Sequence, residues 1–261
     1  MSSAHLFDLT GKVAAVIGGG SGIGKAVTLG AVRMGATVVC LDVAHAAAAA
    51  VAAEAGGATE SGTIDITDSA SVERALTDIT TRHGRLDILI CTPAINVRKK
   101  ILDYSDEELA RVVDVNIKGN FSVLRAAGRI MVAQRRGSIV LFSSIRAQSV
   151  EPGQSVYAAT KAGILQLARG AASEFGPYGV RVNCIGPGVV ETPLTAPIRA
   201  NADWYEAYAE KSALGRWAQP EEMVGPTLFL ASDAASFVTG TILYADGGWL
   251  AHDGRFTPPG M

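Results

Sequence analysis

Short apolar, β-branched runs alternate along the chain with longer stretches whose apolar positions recur at helical spacing. The runs KVAAVIG (12–18), TVVCLD (37–42), GTIDI (62–66), LDILIC (86–91), SIVLFSS (138–144), VRVNCIG (180–186) and TILYADG (241–247) predict strands. Helical periodicity covers 22–34, 44–55, 69–83, 106–135, 155–176 and 220–231. Strands separated by helices pair in parallel through right-handed crossovers. Strands apolar on both sides need helices on both faces of their sheet. The pattern therefore predicts an α/β fold with a doubly wound parallel sheet of about seven strands.

No Pro/Gly/Ser-rich linker and no block of like charge interrupts the pattern, so residues 1–261 are expected to form one domain. The run AHAAAAAVAAEAGG has high helix propensity and ends on paired glycines, which makes it an ordinary covering helix. Between 191 and 219 the alternation stops, and no strand is predicted between two core elements. Such an excursion is usually a lid or a binding segment.

Composition narrows the partners. With 48% hydrophobic residues in 261, the chain can bury a sizeable core. A net charge of −2, from 23 basic and 25 acidic residues, gives no basic field for nucleic acid or an anionic membrane, so a small-molecule partner is expected. The start MSSAHLFDLTGK lacks a basic and apolar leader pattern, and no uncharged apolar run of about 18 residues follows. Cys40, Cys91 and Cys184 are too few for a disulfide framework and too far apart for a metal knuckle. Reduced thiols in a cytoplasmic protein are the expectation. His5, His45, His83 and His252 show no metal-ligand spacing, so no metal is expected.

The first strand runs directly into GGGSGIG, Gly18 to Gly24, and a helical pattern follows. Glycines there allow a tight turn and close backbone approach to a pyrophosphate, while the helix N-terminus offers free N–H groups. At the first βα junction of an alternating chain, this is the context of a dinucleotide fingerprint, which makes the predicted fold Rossmann-type. Asp42 closes the second strand, where a carboxylate accepts both ribose hydroxyls of an adenosine and repels a 2′-phosphate. No Lys or Arg occurs from 34 to 64, and Ser21 rather than a basic residue sits in the glycine turn. The cofactor predicted is NAD.

Ser144 ends the fifth strand, on the carboxyl side of the sheet where ligands bind. The helix that follows carries Tyr157 and Lys161 one turn apart on one face. Reducing a carbonyl by hydride requires a proton donor at the nascent alkoxide, and the reverse requires a base of the same pKa. A phenol near pKa 10 is too weak a base at neutral pH, and a neighbouring ammonium should lower that value.

The glycine turn, Asn116 in DVNIKGNF, Ser144, Tyr157, Lys161, GPGVVET and a closing ADGG together resemble the classical short-chain dehydrogenase/reductase family, over residues 9–249. The resemblance implies that Tyr157 is the acid/base, that Ser144 bonds the substrate oxygen and that Lys161 holds the nicotinamide ribose while lowering the Tyr157 pKa. Asn116 would anchor a proton-relay water through its helix. Gly18, Gly20, Ser21, Gly22, Ile23 and Gly24 would meet the pyrophosphate, and Asp65 with Ile66 the adenine. Cys91 and Ala94 would flank the adenosine ribose, and Pro187, Gly188, Val190 and Thr192 would lie along the nicotinamide. The family usually assembles as tetramers through two long helices and the last strand, which implies a homo-oligomer.

The sequence departs from the family pattern at two places. The usual Asn-Asn-Ala-Gly after the fourth strand reads CTPA, Cys91 to Ala94; Pro93 has no N–H and Ala94 resists positive φ. Ile17 stands where a threonine usually ties the glycine turn to that segment. The two changes fall at one junction, where one can offset the other.

The connection IRAQSVEPGQSV, between Ser144 and Tyr157, must border the substrate. Arg146, Glu151 and Gln154 lie on it, and Asn96 and Arg98 face the same rim. Arg suits a bidentate grip on a carboxylate, and a lipid pocket would want apolar residues instead. A small polar substrate is expected: a sugar acid or hydroxy/keto acid first, a neutral polyol second. The competing role for Arg146 is an ion pair with Glu151 that holds the loop. The competing function is a non-catalytic NAD-binding or redox-sensing protein on the same fold, against which the intact Ser, Tyr and Lys set argues.

Overall fold

The computed structural model describes residues 6–57 and 59–251; the tail from His252 onward and His5 lie outside them. Seven parallel strands, β1 (Val13–Ile17), β2 (Thr37–Asp42), β3 (Thr59–Thr63), β4 (Ile88–Cys91), β5 (Gly137–Phe142), β6 (Val180–Pro187) and β7 (Ile242–Ala245), form one sheet in the order 3-2-1-4-5-6-7. Side chains of β1 alternate between two cores. Val13, Ala15 and Ile17 join a cluster with Leu76, Val123 and Ile164, from helices α3 (Ser69–His83), α5 (Asn120–Gln134) and α6 (Ser155–Phe175). Ala14 and Val16 face Val27 and Leu228, from helices α1 (Gly22–Arg33) and α9 (Val224–Ala231). Helix α2 (His45–Ala55) packs Ala48 and Val51 on Cys40 of β2. Helices thus cover both faces, as the doubly wound prediction requires.

The third strand lies upstream of the expected 62–66. Thr59–Thr63 pairs with β2, ending at Asp42↔Thr63, and the polar sequence TESGT suits an edge with little to bury. Ile64 and Ile66 are buried, but past the end of β2 they have no ladder partner and instead carry the chain to the ligand side. The predicted helix 106–135 is three pieces: α4 (Asp106–Val113), a π-helical turn over Asp114–Gly119, and α5. A Ser105–Glu108 capping box starts α4, and Asn116 sits in the π turn, where the wider winding turns it inward.

The order of strands reverses between β1 and β4, which opens a crevice at their carboxyl ends. The excursion 191–219 contains α7 (Ala196–Arg199) and α8 (Ala202–Lys211) and no strand; it returns to the sheet by a single bridge, Val190↔Ala218.

Candidate active site

At the mouth of β1 the chain turns back on itself. Gly18 and Gly22 hold φ of +78° and +51°, in the region that favours glycine. The approach is closest at Gly24, where a Cβ would lie 2.0 Å from the Gly18 carbonyl oxygen. Backbone N–H groups of Gly18 and Gly19 donate to the Leu41 carbonyl, and that of Gly20 donates to Asp42 Oδ2 at 3.0 Å. Asp42 Oδ1 accepts from the Ala44 N–H at 3.0 Å, so one carboxylate braces two turns. No side chain caps α1, whose first N–H groups face the crevice, so the turn fits a dinucleotide phosphate.

On the opposite wall, Thr92 Oγ1 donates to the Ile17 carbonyl at 3.0 Å and approaches that of Gly18 at 3.3 Å. The hydroxyl missing at position 17 is thus supplied by position 92. Among the described residues the only non-glycine with positive φ is Arg135, so Ala94 keeps an ordinary backbone. Cys91 packs into the core rather than the crevice wall, and burial pushes its thiol up to about 12.

These walls enclose a cleft of about 600 Å³. Of the residues expected at the cofactor, Gly18, Ser21, Gly22, Ile23, Gly24, Asp42, Asp65, Ile66, Ala94 and Thr192 line it. Gly20 lies behind the turn against Asp42. Pro187, Gly188 and Val190 fall outside the lining, and Gly188 packs on Asp246 of the ADGG segment. Among the described residues, none that lines the cleft is basic.

Beyond the cleft, Ser144, Tyr157, Asn96, Arg98, Arg146 and Gln154 border one small cavity of about 70 Å³, with Leu194 shared between the two spaces. Tyr157 hydrogen-bonds Ser144, but burial outweighs that bond and the more distant Arg98 and Arg146 charges, pushing the phenol up to about 12. Lys161 donates from Nζ to the Phe142 carbonyl at 2.7 Å, and its ammonium stands 5.5 Å from the centre of the Tyr157 ring. Burial lowers Lys161 to about 8, with the Cys91 and Cys184 thiols beside it opposing the shift. The lowering of Tyr157 expected from Lys161 is therefore not the state of this structure: burial of the phenol dominates while the lysine is engaged elsewhere.

Asn116 is fully buried. Its Oδ1 accepts from the Ile95 N–H at 2.9 Å, and its Nδ2 donates to the Ile95 carbonyl at 2.9 Å and to Thr160 Oγ1 at 3.1 Å. Thr160 Oγ1 in turn donates to the Tyr157 carbonyl at 2.7 Å. The asparagine side chain thus ties the loop after β4 to the turn of α6 that carries the phenol.

The Arg146–Glu151 ion pair forms, Nη2 to Oε2 at 2.6 Å. Arg98 Nη1 reaches the other oxygen at 2.8 Å, and Gln154 and the Tyr208 hydroxyl donate to it as well. Tyr208 lies on α8, so Glu151 joins the loop between Ser144 and Tyr157 to the 191–219 excursion. Thr92, Thr160 and Tyr208 were not singled out from sequence; only Thr92, beside the Ile17 departure, carried a readable signal.

A family model described as enoyl-(acyl carrier protein) reductase matches residues 18–250. The chain is 35% identical to a 3-oxoacyl-[acyl-carrier-protein] reductase of Thermotoga maritima, over 92% of this chain and 98% of that one. It is 33% identical to gluconate 5-dehydrogenase of Gluconobacter oxydans, over 95% and 98%. A solved gluconate 5-dehydrogenase from Burkholderia cenocepacia, in complex with NADP and tartrate, superposes with a TM-score of 0.91 at 31% identity, covering 95% of this chain and 98% of that one.

Proposed function

The chain belongs to the classical short-chain dehydrogenase/reductase family, and from that premise we propose that it is an NAD-dependent oxidoreductase of small polar secondary alcohols and ketones, sugar acids or hydroxy/keto acids before neutral polyols. One observation carries the reading: Ser144 and Tyr157 meet over a cavity whose far wall is Arg98, Arg146 and Asn96. A nicotinamide, when bound, supplies or takes the hydride. Ser144 and Tyr157 then hold the substrate oxygen between two hydroxyls. The phenol, protonated at neutral pH, gives its proton to the nascent alkoxide in reduction. In oxidation the phenol first gives up its own proton and the phenolate then takes that of the alcohol; Lys161, 5.5 Å from the ring centre, favours that phenolate once it leaves the Phe142 carbonyl. Asn116 acts as a positioning residue through Thr160.

NAD is preferred over NADP in this reading because Asp42 lines a cleft that has no basic lining residue among the described ones. The Burkholderia relative carries NADP, so the assignment rests on this chain's own side chains. A polar acid is preferred because two guanidiniums face the cavity, and the similar gluconate dehydrogenases act on such a compound. The segment 191–219 acts as the lid, since Thr192, Pro193 and Leu194 line the cleft. A non-catalytic nucleotide sensor would have no use for the Ser144–Tyr157 pair.

Assembly as a homo-oligomer is supported by an outer groove between α5 and α6, about 670 Å³, walled by Phe121, Leu124, Val132, Leu167, Phe175 and Tyr178. Three free, buried cysteines suit a reducing cytoplasm. No helix among the described residues is long and apolar enough to cross a membrane. The deciding experiment is a screen of sugar acids, hydroxy acids and polyols with NAD and with NADP, read at the absorbance of the reduced nicotinamide. Turnover with none of them overturns the reading.

A further inference from the structure

The cluster around Glu151 holds more positive charge than a loop brace needs. Arg146 is 6% exposed, and it shares a single carboxylate with Arg98. Two cations share one anion; Arg98, with 30% of its side chain exposed, keeps part of its charge in water, whereas the charge of Arg146 is buried and rests on Glu151 and the Trp249 ring, so the cluster is net positive beside the cavity. The cavity is about 70 Å³, far below the roughly 300 Å³ at which small-molecule sites begin. A ligand therefore enters only by displacing side chains that fill it now. Tyr208, which lines the cavity from α8, is held by Glu151 itself.

We propose that Glu151 is an internal stand-in for a substrate carboxylate: an entering acid replaces it on Arg146 and Arg98, and the exchange releases Tyr208, so that recognising an acid and opening the 191–219 segment are one event. The inference rests on the oxidoreductase reading only for the ligand's identity as a substrate. Burial would raise the Glu151 carboxyl, but the bonds from Tyr208, Arg146, Arg98 and Gln154 outweigh it and hold the group below its ordinary value. It is a carboxylate at neutral pH, and the exchange is like for like. Asn96 adds a second requirement. Its Nδ2 donates to Gln154 Oε1 at 2.9 Å, while its buried Oδ1 accepts no hydrogen bond from the described residues. A ligand hydroxyl supplies the missing donor, so the matching class is a hydroxy acid rather than a plain acid. Arg98 lies over the Trp204 ring at 5.1 Å and Arg146 over that of Trp249 at 5.5 Å, so movement of either guanidinium alters the surroundings of an indole.

Tryptophan emission titrated with gluconate and with its neutral counterpart glucitol tests the exchange. Glu151→Gln removes the competing carboxylate and should tighten gluconate by about fivefold or more while leaving glucitol within about twofold. Unchanged or weaker gluconate binding overturns the proposal, because a purely structural Glu151 would be missed by every ligand. Should Glu151→Gln fold poorly, Glu151→Ala gives a second reading: acetate should raise its Tm saturably above chloride at equal ionic strength, and equal effects of the two salts overturn the proposal. Neither readout needs turnover. A chain that binds gluconate by exchange yet oxidises no alcohol refutes the oxidoreductase reading alone; one that oxidises polyols without the Glu151→Gln gain refutes the exchange alone.

Discussion

Thr92 Oγ1 donates to the carbonyl oxygen of Ile17 at 3.0 Å, across the junction of two neighbouring parallel strands. The bond fixes the start of the glycine turn from the β4 side, and it explains how the turn holds its shape with isoleucine before it. A Cβ on Gly18 would lie 2.5 Å from the same hydroxyl, so the glycine and the threonine are fitted to each other.

Thr92→Val keeps the shape of the side chain and deletes the hydroxyl. The expected cost is about 1 kcal/mol of folding stability, measured by denaturant unfolding, with a severalfold weaker Kd for NAD. Thr92→Ser should restore both. Full NAD affinity in the valine variant would show that Pro93 alone sets the geometry of the turn.

Tyr157→Phe should lower kcat by about 10²-fold or more while leaving the Kd for the nicotinamide cofactor nearly unchanged, since the phenol lines the substrate cavity and not the cofactor cleft. Stopped-flow or steady-state turnover, with cofactor binding followed separately, checks both halves. A variant retaining a tenth of wild-type kcat would remove Tyr157 from the proton transfer.

What the sequence made legible follows from what is local in it. The glycine turn shows because positive φ and close approach exclude other residues, and the Tyr157–Lys161 pair shows because helical spacing is read directly. The CTPA and Ile17 departures mark the junction, but the bond made by Thr92 shows only once the Ile17↔Cys91 register sets it beside the turn. Tyr208 and Glu151 are 57 residues apart, and nothing local announces their bond. The engagement of Lys161 with the Phe142 carbonyl depends on how deeply α6 sits on β5, which no spacing encodes. The third strand was misplaced for a related reason: apolar Ile64 and Ile66 mark burial, whereas the ladder ends where β2 does.

The buried lysine predicts a dependence of stability on pH. Lys161 titrates near 8 in the folded chain against 10.5 for an ordinary lysine, so between these values the unfolded chain binds the extra proton. Stability from this group therefore rises from pH 8 toward 10.5 and is lost as pH falls through 8. The Cys40, Cys91 and Cys184 thiols, raised to about 11, 12 and 12 by burial, act in the opposite sense above their ordinary 9. The difference between wild type and Lys161→Met isolates the lysine: from pH 8 to 10 the wild type should gain on the order of 2 kcal/mol relative to the variant in denaturant unfolding. A gap that stays constant with pH would mean that Lys161 keeps its ammonium in the fold.

In the proposed reading, the choice between the two nicotinamide cofactors turns on Asp42. Its carboxylate is fixed by the N–H groups of Gly20 and Ala44, so it cannot swing away to admit a 2′-phosphate without releasing both turns. A phosphate placed there would meet a like charge, and among the described residues no arginine or lysine lines the cleft to offset it. Wild type should therefore show a kcat/KM at least about tenfold higher with NAD than with NADP, corresponding to about 1.4 kcal/mol. Asp42→Ala should narrow that ratio chiefly by improving NADP, because the repulsion disappears while the ribose hydroxyls lose their acceptor. Asp42→Asn separates the effects: it keeps an acceptor and removes the charge, so it should use NADP better than wild type while losing less NAD affinity than the alanine variant. Equal use of both cofactors by the wild type would show that the phosphate finds another path past β2, and the carboxylate would then be a brace of the glycine turn and nothing more.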